Sequence, residues 1–283
     1  MDVVRLAKRL TKQRHVGHGG TLDPDASGVL PLCFGQATRT MEFLINSVKV
    51  YRAQLTLGVS TDTYDHQGQV TEERDASGVT LEQVRQALEA FRGAIDQVPP
   101  MFSALKQGGR RLYELARAGK VVPRDPRRVQ VFRLDILNWD LPYLEMEIEC
   151  GRGVYIRSLA HDLGQALGCG AYLSQLVRKR TGPFFLEGAL SLDQAAETFE
   201  SGEWVSLLHA PDIVLLHLRA AVVGPEAEAR LRNGQTIALR TARFAPVQHE
   251  GCRAYSIDGH FVALLRFQGP PNLWRPDMVF ESA

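Results

Sequence analysis

Two stretches, Val129-Gln-Val-Phe-Arg-Leu-Asp-Ile-Leu137 and Tyr143-Leu-Glu-Met-Glu-Ile-Glu-Cys150, decide how this chain folds. In the second, Leu144, Met146, Ile148 and Cys150 alternate with Tyr143, Glu145, Glu147 and Glu149. That is the two-residue period of a strand with one buried and one wet face. Asn138-Trp-Asp-Leu-Pro142 between them reads as a turn. Further out, residues 48–59 alternate as well, with Tyr51, Ala53, Leu55, Leu57 and Val59 on one side. Helical spacing is interleaved with these strands. Leu81, Val84, Ala87, Leu88 and Phe91 form a stripe that opens on the capping-box pair Thr80 and Gln83 and is expected to stop at Gly93. Residues 155–167 predict a helix ended by Gly168, residues 2–13 one capped by Asp2, and residues 37–47 another. Strands dominate without regular strand–helix alternation, so the expected class is α+β with a mixed, largely antiparallel sheet.

Two regions differ in texture. Residues 100–128 hold few apolar side chains, many Arg and Lys, and Gly108-Gly109 and Pro123, the pattern of an inserted arm outside the core. After about residue 210, a strand run (Ile213–Leu218), a helix from Pro225 to Arg232 and alternating strands to Phe280 predict a small β-rich domain. The expected division is 1–210, with the insertion at about 100–128, and 211–283.

Composition narrows the function. The 283 residues are 45% hydrophobic and 23% charged, which excludes disordered and fibrous classes. No apolar run approaches the roughly 20 residues of a membrane span, and the first ten residues lack a signal-peptide core, so a cytoplasmic protein is expected. Cys33, Cys150, Cys169 and Cys252 are far apart and form no C-x-x-C, which fits a reducing compartment and four small buried apolar groups. Net charge is +1, yet residues 103–133 carry nine basic residues against two acids and residues 1–22 carry five against one. Concentrated basic segments suit a polyanion such as nucleic acid, and equally suit two solvated helix faces.

Chemistry is concentrated in His15-Val-Gly-His18-Gly-Gly-Thr-Leu-Asp23-Pro24-Asp25-Ala-Ser-Gly28. Glycines let backbone approach a ligand closely, and Pro24 holds Asp23 out of helical geometry. Three readings stay open on the residues alone: a metal site from His15, His18 and Asp23; a plain turn capped by Asp and Ser; or a carboxylate presented to an RNA base. Spacing does not choose between Asp23 and Asp25. No P-loop lysine, G-x-S-x-G elbow or dinucleotide fingerprint occurs.

The order of motifs is more specific. Gly17-His-Gly-Gly-Thr-Leu-Asp-Pro-Asp-Ala-Ser-Gly-Val-Leu-Pro-Leu-Cys-Phe-Gly-Gln-Ala-Thr-Arg39 closely resembles the catalytic signature of the tRNA pseudouridine synthase B (TruB) family. Lys49-Val-Tyr51-Arg with Gly58-Val-Ser-Thr-Asp-Thr-Tyr-Asp65 resembles its second motif. Pro99-Pro-Met-Phe-Ser-Ala-Leu-Lys106 and the residues through Gly119 are similar to its RNA-gripping insertion. Gly153-Val-Tyr-Ile-Arg157, Asp162-Leu-Gly and Leu173 to Arg180 match later blocks, and Leu231-Arg-Asn-Gly-Gln235 resembles the small PUA domain that often ends these proteins.

The resemblance implies a synthase that converts the T-loop uridine of tRNA, position 55 in tRNA convention, to pseudouridine. It implies Asp23 as catalytic carboxylate, Arg157 as its partner and Tyr51 as the stacking aromatic. Leu176 would line the uracil pocket, and His18 would fill the space left by an everted base. Lys106, Arg110 and Arg111 would grip RNA. Each role is physically sound: a base in a folded loop must be flipped before its glycosidic bond is reachable, and aromatic stacking supplies about 1–3 kcal/mol per base. Isomerisation needs neither cofactor nor metal, and a monomer is expected. His15 and Asp25 read as solvated loop groups. A dyskerin-like, guide-RNA-dependent subunit and a non-catalytic RNA chaperone are the alternatives. Family members usually begin with a Lys-Pro-x-Gly-x-Thr-Ser strand before the first helix, whereas here Met1 stands at the His that follows it: either the start is misassigned, or a strand backing the catalytic loop is missing, in which case a sheet edge is expected to lie unpaired. The second glycine of Gly17-His-Gly-Gly20 is commonly Thr in the family.

Overall fold

The computed structural model describes residues 3–120, 122–239 and 246–281. Helix α1 (Val3–Thr11) buries Ala7 and exposes Arg5, Lys8 and Arg9; the expected Asp2 cap lies outside the described residues. The Gly/Asp-rich stretch after it holds three short strands, β1 (Val16–His18), β2 (Ser27–Gly28) and β3 (Leu32–Phe34). Alternation over two or three residues is too short to reveal them. A 3-10 turn over Gly35–Thr40 leads into α2 (Met41–Asn46). Strand β4 (Lys49–Leu57) ends where Gly58 takes φ +92°, so the predicted single strand 48–59 is divided, and β5 (Val59–Thr61) pairs with β6 (Val70–Glu73).

Helix α3 (Leu81–Glu89) opens on the predicted capping box: Gln83 N donates to Thr80 Oγ1 at 3.3 Å, and Thr80 N donates to Gln83 Oε1 at 2.8 Å. It stops before Gly93, which instead begins β7 (Gly93–Gln97). The arm consists of β8 (Lys106–Gln107), β9 (Arg110–Arg111) and α4 (Leu112–Arg117). It has apolar anchorage that its composition hides, because Leu112 and Leu115 are buried. Strands β10 (Arg127–Asp140) and β11 (Tyr143–Cys150) form a long hairpin. The predicted turn shrinks to Leu141-Pro142, because a register shift after Ile136 lets Asn138, Trp139 and Asp140 pair with Glu145, Leu144 and Tyr143. Next come α5 (Ile156–Ala166), ended by Gly168 at φ +76°, then β12 (Ala171–Thr181), β13 (Phe184–Phe185) and α6 (Leu192–Ser201).

Pro211–Leu215 is a 3-10 turn where the sequence predicts a strand. Pro211 opens that turn, and Asp212 is buried against Tyr255 and Arg253, which holds the segment out of the sheet. Strand β14 (Arg219–Val222) follows, then α7 (Pro225–Arg232), β15 (Ile237–Ala238), β16 (Gly251–Tyr255), β17 (Phe261–Gly269) and β18 (Leu273–Val279).

The chain forms two compact units. One holds Gly20–Pro31 and Ile45–Ala189 and contains a seven-stranded sheet ordered β13-β12-β4-β11-β10-β7, with β2 added in parallel beside β12. The other neighbours in this sheet are antiparallel. Ala53, Leu55, Leu144, Met146 and Ile148 from the sheet pack with Val84 and Leu88 of α3 and Leu159 and Leu163 of α5. At roughly 1.5–3 kcal/mol for each large apolar side chain removed from water, this cluster dominates the unit's stability. The alternate residues Glu145, Glu147 and Glu149 instead meet Arg52, Arg133 and Arg180. Those pairs are solvent-exposed and add little, about 0–1 kcal/mol each.

The other unit contains the described residues up to Gly19, Leu32–Leu44, and those from Leu190 onward. Its five-stranded sheet, ordered β14-β16-β17-β18-β15, closes over Leu231, Val262, Leu265, Phe267 and Trp274 as the small β-rich, PUA-like domain. N-terminal residues share this unit: Arg39 lies over the Phe280 ring and donates to Val279 O, and Glu281 N donates to Gln36 Oε1 at 2.9 Å. All four cysteines are buried and unpaired. Among the described residues, no helix is long and apolar enough to cross a membrane.

Candidate active site

Asp23 sits where chain irregularity is greatest, between Gly20 at φ +129° and a turn in which Ala26 N donates to Asp23 O at 3.0 Å. Its carboxylate meets Arg157, in the first turn of α5, as a fork on a fork: Nε donates to Oδ2 at 2.8 Å and Nη2 to Oδ1 at 2.9 Å. Arg157 is 5% exposed and the Asp23 side chain 39%. A bidentate pair of this kind fixes the plane of the carboxylate as well as its position.

The rest of the guanidinium is also engaged. Nη2 donates to Phe102 O at 3.0 Å, Nη1 to Thr63 O at 3.4 Å, and Nη1 lies 3.3 Å from Asp65 Oδ2. Asp65 is itself held, since Oδ1 accepts from Thr63 Oγ1 at 2.5 Å and Gln67 N at 3.1 Å. Tyr64 beside it takes φ +65°, stacks on His161 with ring centroids 3.9 Å apart, and accepts from Leu173 N through its carbonyl. The second loop is therefore as fixed as the first.

Tyr51 lies in β4, between Ile148 of β11 and Arg178 of β12. Leu176, opposite Ala53, and Tyr51 are both partly buried and pack on the same core cluster. Burial pushes the Tyr51 hydroxyl above its ordinary pKa; the Asp23 charge adds to this, and the Arg178 guanidinium opposes it. Tyr155 feels the same carboxylate, with burial again the leading cause of its upward shift. The structure thus brings Asp23 and Arg157 into contact and places Tyr51 within range of the Asp23 charge.

The remaining candidates stand elsewhere. His18 ends β1 opposite Leu32, in the unit that holds the PUA-like sheet. Lys106 pairs across the arm hairpin with Arg111, and Arg110 is exposed beside them. Arg111 and Arg117 flank the Tyr113 ring at 5.8 and 5.6 Å. Asp25 faces His66 at 3.5 Å in an exposed pair, so its surroundings differ from those of Asp23. Among the described residues, no group of three or more His, Cys, Asp or Glu is placed to hold a metal ion.

Asp65, Phe102 and Arg178 were given no role by the sequence. Asp65 lies in the quoted Thr-Asp-Thr-Tyr-Asp run, whose density of capping residues was the available signal. Phe102 contributes only a carbonyl, which no side-chain pattern reports.

A profile of the N-terminal domain of TruB family pseudouridylate synthases matches residues 8–156, and one of the tRNA pseudouridylate synthase B C-terminal domain matches residues 157–210. This chain belongs to the TruB family. The tRNA pseudouridine synthase B of Dehalococcoides mccartyi strain 195 is 41% identical over 280 residues, covering 99% of this chain and 92% of the relative. That of Geobacter sulfurreducens is 44% identical over 233 residues, covering 82% and 77%. Among solved structures, an H/ACA RNP bound to a substrate RNA containing 2'-deoxyuridine superposes with a TM-score of 0.74 at 22% identity, covering 99% of this chain and 81% of that one. A Cbf5-Nop10-Gar1 complex gives 0.72 at 24%, covering 99% and 80%. At that identity the likeness establishes the fold of this TruB member and nothing further. As a family member, the chain is a pseudouridine synthase, an isomerase.

Proposed function

We propose that this TruB protein isomerises the T-loop uridine of tRNA, position 55 in tRNA convention, to pseudouridine, acting alone as a cytoplasmic monomer. The observation that carries the reading is the Asp23–Arg157 pair: a buried cation grips a carboxylate that still reaches solvent. The asymmetry of burial, 5% exposure for Arg157 and 39% for the Asp23 side chain, leaves the acid end of the pair open to a substrate.

The reaction breaks the bond from C1' of the ribose to N1 of uracil and forms one from C1' to C5. A proton leaves C5 and N1 is left protonated, so atoms and electrons balance within the substrate. Asp23 supplies the carboxylate that engages the uridine while the base is detached, and Arg157 holds that carboxylate in one plane. Tyr51 offers a ring for the base to stack on, and Leu176 an apolar wall. Reaching N1 requires the uridine to be everted from the folded loop, a role for which His18 is the proposed filler. Lys106 and Arg110 contact phosphate, with Arg111 beside them braced on the Tyr113 ring.

Asp23→Asn keeps the shape and removes the charge. Transcribed tRNA incubated with this variant should give no pseudouridine by mass-shift sequencing, while tRNA binding stays near that of the parent protein. Ordinary product yield would refute the assignment. Turnover by the purified parent chain without partner proteins or guide RNA would separate it from a guide-dependent subunit.

A further inference from the structure

Arg178, in β12, is the least exposed of the buried cations among the described residues, at 1%. Among the described residues, no carboxylate lies within ion-pair distance of it. Its guanidinium spends its donors on one segment instead: Nε to Val29 O at 2.9 Å, Nη2 to Gly20 O at 3.1 Å and Nη1 to Thr21 O at 3.4 Å. Its main chain grips the same segment, with Val29 N donating to Arg178 O at 2.9 Å and Arg178 paired in parallel with Gly28. A Cβ at Gly28 would overlap the Arg178 backbone, so the approach depends on glycine there. Arg178 is also the direct cross-strand partner of Tyr51, β12 against β4.

A buried cation without a counter-ion is a poor way to stabilise a sheet, and an apolar side chain of similar volume would serve better. What this geometry does achieve is local. The carbonyls on both sides of Asp23, at 20–21 and at 29, are tied to one rigid planar group carried by the strand partner of Tyr51.

We infer that Arg178 is a positioning residue for catalysis: it clamps both ends of the Asp23 loop to β12 and fixes the carboxylate relative to the Tyr51 ring. This rests on Asp23 and Tyr51 having the roles proposed above. Lysine at this position keeps the charge but, as a point donor, cannot span three carbonyls.

The test compares Arg178→Lys with the parent protein on transcribed tRNA. A loop released by about 1 Å should lower kcat by about 100-fold, while KM stays within about twofold. A side chain that merely supported the fold would change melting temperature without that split. Retained kcat, or a raised KM at unchanged kcat, overturns the inference. Gly20→Ala, which strains the loop at φ +129° and leaves the β12 core intact, should change kcat in the same direction and decides the matter if the lysine variant folds poorly. Amide exchange over residues 20–29, followed by mass spectrometry, should quicken at least about tenfold in Arg178→Lys. That readout needs no turnover, so it fails only if the clamp itself is wrong, whereas an active Asp23→Asn protein fails the functional reading.

Discussion

Four hydrogen bonds and one further ion-pair contact surround the Arg157 guanidinium, and only two of the hydrogen bonds serve Asp23. The others serve Phe102, Thr63 and Asp65, so the side chain that orients the carboxylate is itself oriented by two separate stretches of chain. Lysine could satisfy one or two of these contacts and would leave buried acceptors unmatched, at about 1–3 kcal/mol for each group. Arg157→Lys should therefore lower kcat by about 100-fold or more, with KM for tRNA little changed, and should lower the melting temperature as well. A variant with parental kcat would show that the fork geometry is dispensable. At this scale, legibility in the sequence followed chemical type. Asp23, Arg157 and Tyr51 stand in motifs whose residue types announce a role. Phe102 and Thr63 act through carbonyls that every residue has, and Arg178 in an alternating strand looks like any surface cation until its burial is known.

Elements were legible where a period was long enough to register. α3 with its capping box, α5 with its terminal glycine, and the β10–β11 hairpin all repeat over eight residues or more. The short strands β1, β2 and β3 do not, although β2 is the one that ties the Asp23 loop to β12. Helix α5 also carries a cost visible only after folding. Burial lifts the Asp162 carboxyl to about 6. Between its ordinary value of 3.8 and about 6, the folded chain holds a proton that the unfolded chain has released. Stability must then fall as pH rises through that window, and the deficit persists above it. Asp162→Asn removes the titration. Its melting temperature should match the parent near pH 4 and exceed it by a few degrees at pH 7, equivalent to about 1 kcal/mol once residual solvent screening is allowed for. A difference that stays flat across this range would mean the carboxyl is better solvated than its setting implies.

Across the whole molecule, charge is the property the sequence displays most openly and the net value conceals. A formal charge of +1 averages an arm, residues 100–128, with eight basic residues against an acidic remainder. The structure sorts that arm into two kinds of cation. Arg111 and Arg117 flank Tyr113, and Arg124 donates to Pro99 O, so these side chains help hold the arm together. Lys106 and Arg110, among the described residues, make no side-chain ion pair or hydrogen bond and remain available to phosphate. Replacing both with Gln should spare the arm and remove two phosphate contacts. The slope of log binding constant against log salt should then become shallower by about 1.5–2, with weaker tRNA binding at every salt concentration and kcat at saturating tRNA preserved within about twofold. An unchanged slope would place the polyanion elsewhere on the protein, most plainly along the exposed Arg5, Lys8 and Arg9 of α1.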